Sequence, residues 1–251
     1  MHTRVTTPKK RDLSHAMRIL ADAQASRMSA LDEHDGKALL RELGIHTATG
    51  IRVGVTTSLD RAVQSLRPPF ALKALSSRAL HKSDIGAVAL NIEDIQALAV
   101  ERDRMRDRLA GLDIELTGFL VEEMVQQGVE IVIGGMRDPR FGPLIMCGLG
   151  GIFTEVLEDV KFAICPFGPD DARAMLEGLK GYRLLKGLRG KPPVDIEAIV
   201  HALIALGGEE GIFTTTVSIA EFDINPLIAD ETGIVAVDAR FILEQGPDDH
   251  R

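Results

Sequence analysis

The chain has 251 residues, of which 45% are hydrophobic and 26% are charged, so it can bury a substantial core in one large domain or two small ones. A net charge of −8 argues against a nucleic-acid-binding surface, which would need clustered Lys and Arg. No run approaches the roughly eighteen apolar residues of a membrane span, and the start, MHTRVTTPKKRDL, has no apolar signal segment, so we expect a cytoplasmic protein without a membrane span.

The first half of the chain alternates between helical and strand-like patterns. Residues 1–28 are predicted to be a helical or partly disordered lead-in, because SHAMRILADAQA has helical apolar spacing. EHDGKALLRELGI is predicted to be an amphipathic helix that ends at Gly44. The strand-like runs IRVGV and FALKAL flank the helical LDRAVQSL and a break at Pro68 and Pro69. HKSDIGAVALNI leads from a Gly-containing loop into a strand, and the charged helix EDIQALAVERDRMRDRLAGL follows.

The second half begins with three strand-like runs, GFLVEEMV, VEIVIGGM and PLIMCGLG. Two helices follow by spacing, DDARAMLEGLKGYRLL and DIEAIVHALIALG, and the end reads as two strands joined by a turn around residues 230–233. We place a boundary near Leu116. The sequence therefore predicts an α+β protein of two lobes, residues 29–116 and 117–246, with a disordered tail at 247–251.

Five segments, in this order and spacing, resemble the ATP-grasp domain of NDP-forming acyl-CoA synthetases, which are relatives of the succinyl-CoA synthetase β subunit. They are FALKALS, HKSDIGAV, LVEEMVQQGVEIVIGG, RDPRFGPLIMCGLGGIFTEVLEDV, and EFDINPL followed by VDAR. The resemblance implies an ATP-grasp fold, in which two lobes with mixed or antiparallel sheets and packed helices hold a nucleotide between them. It also implies ATP or ADP and Mg²⁺ as ligands.

Lys73 lies in the otherwise apolar strand FALKAL, where a charge is costly unless a partner neutralises it. An α- or β-phosphate would be such a partner, because an ammonium on a flexible stem binds phosphate as a point charge. The alternative is a Lys whose head group snorkels to solvent from a strand edge. The resemblance favours phosphate binding.

The loop HKSDIGAV combines an imidazole, an ammonium, a hydroxyl, a carboxylate and a glycine. The resemblance implies that it is the flap near the triphosphate, that Gly86 approaches phosphate oxygens, and that His81 is the second phosphorylated histidine of a relay. A neutral imidazole is a competent nucleophile toward a phosphoryl group. The alternative is a solvent-exposed loop histidine. The family usually has two glycines here, and Ala87 in the second position matters only if that position needs a positive φ.

The segment LVEEMVQQGVE resembles the hinge between the lobes. We assign Glu123, Met124 and Val125 to the adenine, through main-chain groups and apolar packing. We assign Glu130 to the ribose, because a carboxylate can accept hydrogen bonds from both hydroxyls of a vicinal diol. The alternative, an exposed Glu on a strand, applies to Glu122 and, less strongly, to Glu130.

EFDINPL and VDAR carry oxygen ligands at a spacing that suits a metal. Asp223 and Asn225 share one face of a strand, and Asp238 could lie opposite on the paired strand. Asn225 and Asp238 match the positions that hold Mg²⁺ in the succinyl-CoA synthetase β subunit, with Asp223 as a third ligand. Magnesium prefers a few hard oxygens and bridges nucleotide phosphates. The alternative is turn chemistry, for which Asn-Pro and Asp-Glu-Thr-Gly are common.

No segment resembles a CoA-binding Rossmann domain or the domain with the other active-site histidine of the family. The resemblance therefore implies a separate CoA-binding α-type subunit, through which acyl-CoA and the carboxylate would enter. Glu155, in GLGGIFTEVLEDV, would face the docking site of the partner's phosphohistidine loop and orient that histidine; a Gly-rich segment is also consistent with an ordinary tight turn.

The implied reaction is acyl-CoA + NDP + Pi ⇌ carboxylate + CoA + NTP. Two alternatives stay open at this point. One is the β subunit of a succinyl- or malate-CoA ligase, and the other is a nucleotide-sensing module that has lost catalysis.

Overall fold

The computed structural model describes residues 12–76, 85–151, 159–188, 190 and 192–244, whose strands form two antiparallel sheets. The helices are α1 Ser14–Ala25, α2 Glu33–Glu42, α3 Leu59–Ala62, α4 Ile95–Ala110, α5 Pro169–Glu177, α6 Tyr182–Leu185, α7 Ile196–Gly207 and α8 Ile212–Thr215. The strands are β1 Ala30–Leu31, β2 Gly50–Val53, β3 Phe70–Leu75, β4 Val88–Ile92, β5 Gly118–Glu123, β6 Val129–Asp138, β7 Gly142–Leu149, β8 Val160–Ile164, β9 Ile219–Asp230, β10 Gly233–Ala236 and β11 Arg240–Leu243. The predicted α+β class with two lobes is confirmed.

The small lobe is a four-stranded sheet in the order β2-β5-β3-β4, with α3 and α4 packed on it. Phe70, Leu72 and Ala74 of β3 point into its core. Because successive strand residues point to opposite faces, Lys73 of the same strand points away from that core. The Lys73 side chain points toward the large lobe, where it contacts Glu33 and Val237.

The large lobe has a seven-stranded sheet in the order β1-β11-β9-β6-β7-β8, with β10 also paired to β9. One apolar core joins this sheet to α1, α2, α5, α7 and α8. Helix α7 is the most apolar of these helices. In the same core the ring of Phe222 meets that of Phe213 edge to face and stacks on that of Phe241. Among the described residues, no helix combines the length and the apolar character that a bilayer crossing requires.

The predicted lobe boundary at Leu116 is wrong, because sheet membership does not follow the order of the chain. Strand β5 comes after that boundary but pairs with β2 and β3 of the small sheet. Strand β1 and helix α2 come before it but belong to the large lobe, where β1 pairs with β11. The predicted helix in the lead-in is confirmed as α1, yet it packs on the large-lobe core through Ala16, Leu20 and Ala23.

The end of the chain was predicted to form two strands, but it forms three, β9, β10 and β11. The long strand β9 pairs with β10 through residues 227–230 and with β11 through residues 219–223. The second strand is interrupted at residues 237–239, where the Val237 amide donates to the Pro226 carbonyl at 2.9 Å. The turn predicted around Asp230 is confirmed, and the interruption places Asp238 outside the regular ladder.

Candidate functional site

Asp223, Asn225 and Asp238 come from β9 and from the interruption between β10 and β11. Asp223 lies directly opposite Arg240 of β11, and Asp238, two residues before Arg240, is near enough for its charge to act on the Asp223 carboxylate. Asn225 is exposed, and Asp238 is half-buried with its Oδ1 accepting a hydrogen bond from the Ala239 amide at 2.8 Å. Carboxylate and amide oxygens are ligands that suit Mg²⁺.

The two carboxylates influence each other electrostatically. Burial raises the pKa of Asp223, and the charges of Asp238 and Glu221 raise it further, while Arg240 lowers it. Asp223 therefore lies in a negative field that a bound cation would neutralise.

Lys73 is buried at the junction of the lobes, with 3% of its surface exposed, so the snorkelling alternative is wrong. Its Nζ donates to Glu33 Oε1 at 2.5 Å and to the Val237 carbonyl at 2.6 Å, and lies 3.0 Å from Glu122 Oε2. Burial lowers the pKa of Lys73, but the charges of Glu33, Glu122 and Asp238 outweigh burial and raise it overall. The ammonium is thus charged and adjoins the residue before Asp238.

Lys37 of α2 shares both carboxylates with Lys73. Its Nζ lies 2.8 Å from Glu33 Oε1 and 2.5 Å from Glu122 Oε1. Burial and the charge of Lys73 lower the pKa of Lys37, which Glu33 and Glu122 offset only in part. We call Glu33, Lys37, Lys73 and Glu122 the buried tetrad.

Sequence reasoning missed three members of the buried tetrad. Glu122, for which an exposed strand position was an open alternative, is 1% exposed. Glu33 and Lys37 lie four residues apart on the buried face of α2, together with Gly36 and Leu40. Two opposite charges within the apolar stripe of an amphipathic helix were the available signal, because such charges are rarely buried unless they are paired.

The hinge residues predicted for adenine lie where the chain crosses from β5 to β6. The amides of Glu123 and Met124 donate to the carbonyls of Thr49 and Pro69 at 2.9 and 3.1 Å. Both amides are therefore engaged within the protein. Adenine recognition by main-chain groups would then rest on the carbonyls of this segment and on Val125.

A cavity of about 330 Å³ lies beside the hinge. Val125 and Gln126 line it on one side, and Ile228 and Val235 of the β9–β10 hairpin line it on another. Glu130 is exposed and lies directly opposite Ile228, so its side chain is on the same sheet face as this cavity. Of the residues predicted for adenine and ribose, Val125 lines this cavity, whereas the side chain of Glu130 lies beside Gly150 and Gly151.

Gly86 has φ +65°, a conformation that favours glycine, and its carbonyl accepts a hydrogen bond from Arg108 Nη1 at 2.7 Å. The φ of Ala87 is not positive, so the absence of the family's second glycine causes no backbone strain at that position. His81 and Glu155, the two predicted catalytic residues, lie outside the described residues.

Comparison with known proteins identifies the family. The ATP-grasp domain family matches residues 22–243. The β subunit of acetate–CoA ligase (ADP-forming) I from Pyrococcus furiosus is 36% identical over 236 residues, which cover 92% of this chain and 99% of that subunit. Acetate–CoA ligase (ADP-forming) I from Archaeoglobus fulgidus is 37% identical over 215 residues, which cover 83% of this chain but 30% of that longer protein.

Solved structures agree with this assignment. The dinucleotide-forming acetyl-CoA synthetase 1 of Ca. Korarchaeum cryptofilum, in complex with coenzyme A and Ca-AMPCP, has a TM-score of 0.84 and 36% identity, and the match covers 91% of this chain and 100% of that chain. A protein from Pyrococcus horikoshii has a TM-score of 0.84 and 33% identity, with 92% and 98% covered. The predicted ATP-grasp fold is confirmed. The chain belongs to the ATP-grasp family and, within it, to the β subunits of ADP-forming acyl-CoA ligases.

Proposed function

We propose that this chain handles the nucleotide half of the reaction acyl-CoA + ADP + Pi ⇌ carboxylate + CoA + ATP. The observation that supports this most strongly is the contact of Lys73 Nζ with the Val237 carbonyl, beside Asp238. It brings a cation from the small lobe next to the oxygen ligands of the large lobe. Catalysis of phosphoryl transfer depends mainly on positioning and on neutralising charge, and these groups are suited to both tasks.

In this proposal Asn225, Asp238 and Asp223 hold Mg²⁺, which when bound would neutralise charge on the phosphate oxygens. Lys73 binds an α- or β-phosphate from the small-lobe side. Its three neighbouring acceptors mean that a phosphate must displace at least one of them to bind it directly.

The same proposal places the nucleoside at the hinge. Glu123, Met124 and Val125 contact adenine, and Glu130 accepts hydrogen bonds from the ribose hydroxyls. The supporting observation is the cavity between Val125 and Ile228, on the sheet face that Glu130 shares. Gly86 lies in the flap that covers the phosphates.

We also propose a CoA-binding α-type partner subunit. The match covers only 30% of the A. fulgidus proteins, so those chains carry other segments as well. Relatives are named for acetate, 4-hydroxybutyrate and trans-feruloyl groups, which supports an acyl site formed by the partner. One K. cryptofilum structure with Mg-AMPPCP has its phosphohistidine segment pointing towards the nucleotide-binding site. By this proposal Glu155 orients that histidine.

His81 is proposed as a second phosphoryl carrier, because the nucleotide site and the acyl site would be separated. Labelled ATP should then give an acid-labile, base-stable phosphoramidate on this chain when the partner is present. His81→Ala should lose the label and synthetase turnover while still binding Mg-ATP. Full turnover by this variant would mean that the partner's histidine alone carries the phosphoryl group.

Nucleotide binding by the purified chain tests the proposed site directly. Mg-ADP should raise its melting temperature by mass action, Lys73→Met should weaken this effect, and Asp238→Asn should abolish its dependence on Mg²⁺. Lys161→Met, at an exposed Lys of β8, is the matched control and should bind as the wild type does. Unchanged Mg-ADP binding in both site variants would contradict the assignment.

A further inference from the structure

The buried tetrad joins the two lobes. Glu33 and Lys37 belong to α2, whose Leu39 and Leu40 lie in the large-lobe core, whereas Lys73 and Glu122 belong to strands of the small sheet. At most 4% of each side chain is exposed. Two ammonium groups and two carboxylates balance in charge, which is the condition under which such groups are tolerated away from water.

Lys73 is fully occupied within the tetrad and the adjoining loop. An ammonium has three N–H donors, and Glu33, Glu122 and the Val237 carbonyl provide three acceptors around it. A nucleotide phosphate can therefore bind Lys73 only by taking the place of one of these acceptors. Because the Val237 carbonyl holds the ammonium beside Asp238, the acceptor exchanged for phosphate is a carboxylate. If Lys73 were the sole cation beside Glu122, exchange of that carboxylate for phosphate would leave a buried carboxylate without an ion-pair partner, which is strongly destabilising.

Lys37 changes the energetics of that exchange. It contacts the same oxygen of Glu33 that Lys73 contacts, and it contacts the other oxygen of Glu122. Both carboxylates therefore keep a cation when Lys73 turns away. The two lysines are not equivalent, since Lys73 reaches the Val237 carbonyl beside Asp238, whereas the ion pairs of Lys37 are with Glu33 and Glu122.

We infer that Lys37 is a positioning residue for nucleotide binding: it is the counter-ion that remains with Glu33 and Glu122, so that Lys73 can exchange these carboxylates for a nucleotide phosphate. This inference rests on the proposed function. It gives α2, which contributes none of the predicted phosphate or metal ligands, a role in phosphate affinity.

A charge series in the tetrad tests the inference. Lys37→Met leaves one unbalanced negative charge that holds Lys73, and we expect it to weaken Mg-ADP binding by at least about tenfold. Glu33→Gln removes a competitor of the phosphate, and this variant should bind Mg-ADP at least as tightly as the wild type. The double variant Glu33→Gln/Lys37→Met is balanced again, and its affinity should return to within about threefold of the wild type. Isothermal titration calorimetry at fixed pH and salt gives these affinities.

Adenosine is the control ligand, because it has no phosphate. Its affinity should be the same in all four proteins, whereas a general loosening of the lobes would weaken adenosine and Mg-ADP together. The inference is overturned if the double variant binds Mg-ADP as weakly as Lys37→Met, or if adenosine affinity falls in parallel. If Lys37→Met does not fold, the double variant still tests the inference. The inference is overturned if the double variant binds Mg-ADP far more weakly than both Glu33→Gln and the wild type.

The wild type separates this inference from the proposed function. If the wild-type chain binds no Mg-ADP, the proposed function fails. If it binds Mg-ADP and all four proteins bind it with the same affinity, only the role of Lys37 fails.

Discussion

The protonation state of Asp223 that the protein favours depends on whether a cation is bound. Burial and the charge of Asp238 raise its pKa, so its protonated form is the one that the fold favours. The stability that this group contributes is present at pH values below its ordinary pKa and is lost as the pH rises through the raised pKa. At neutral pH without metal, the ionised Asp223 therefore destabilises the fold.

Asp223→Asn should accordingly raise the melting temperature in EDTA at about pH 7, and this gain should shrink toward about pH 4. The same substitution should weaken the stabilisation by Mg-ADP, because a metal ligand is lost. Asp230→Asn is a control of opposite sign, since hydrogen bonds from Thr232 lower the pKa of Asp230. It should lower the melting temperature at about pH 7. A lower melting temperature for Asp223→Asn in EDTA would contradict the prediction.

The sequence could predict the role of a single residue where the signal lies within a few neighbouring positions. A Lys in an apolar strand and an Asp-x-Asn pair on one strand can be recognised in a few residues, and the structure brings Lys73 and Asp238 together. The partners of Lys73 could not be recognised in this way, because Glu33 and Glu122 are distant in sequence and meet only through packing of the lobes. A helical wheel of α2 shows its buried charges but not what they pair with.

Arg137, at the end of β6, shows how one side chain fixes the entry to a strand. Its guanidinium donates to the carbonyls of Ile219 at 2.8 Å, Phe213 at 3.0 Å and Thr216, and lies 4.5 Å from the centre of the Phe213 ring. These contacts hold the segment between α8 and β9, the strand that carries Asp223. Arg137 therefore supports the candidate metal site without being part of it.

Arg137→Met should lower the free energy of unfolding by about 3 kcal/mol, because three backbone carbonyls lose a charged donor. Urea denaturation measures the change. Arg140→Met, at an exposed Arg two residues after β6, should stay within about 0.5 kcal/mol of the wild type. Equal stability of the two variants would show that the Arg137 contacts contribute little.

Most of the long strands were predicted, because their apolar runs are bounded by Gly and Pro. The prediction assigned β5 to the wrong lobe. Its apolar sequence would fit either sheet, and only its pairing with β2 and β3 shows that it belongs to the small lobe. The short strand β8 was missed, although Val160, Phe162 and Ile164 alternate as in a strand, and Phe162 and Ile164 are exposed in the structure.

Those exposed residues form part of an apolar face on the large sheet. Met136, Phe162 and Ile164 are 51%, 60% and 53% exposed, and strand register places them on one face with Leu144 and Met146. The same face carries Asp223, opposite Gly134. An apolar face of this kind is typical of an interaction site, and we expect the proposed partner subunit to cover it.

Phe162→Ser combined with Ile164→Ser should weaken association with the α-type subunit by about tenfold or more, while Mg-ADP affinity of the chain alone stays unchanged. Surface plasmon resonance with the immobilised partner gives the affinity. Val217→Ser, at an apolar residue that is 76% exposed elsewhere on the protein, is the control. Association equal to the wild type in the double variant would place the interface on another face.

Strand β1 pairs with β11, so Ala30 and Leu31 are held by Ile242 and Phe241 from the opposite end of the sequence. Helix α2, with Glu33 and Lys37, starts directly after β1, and its packing surface includes Phe241. During synthesis the α2 half of the tetrad therefore leaves the ribosome well before the strand that anchors it. Contacts of such long sequence separation slow folding, because the loop must close before they form. The α2 charges that meet Lys73 in the finished protein thus lack the support of β11 until that strand has been synthesised.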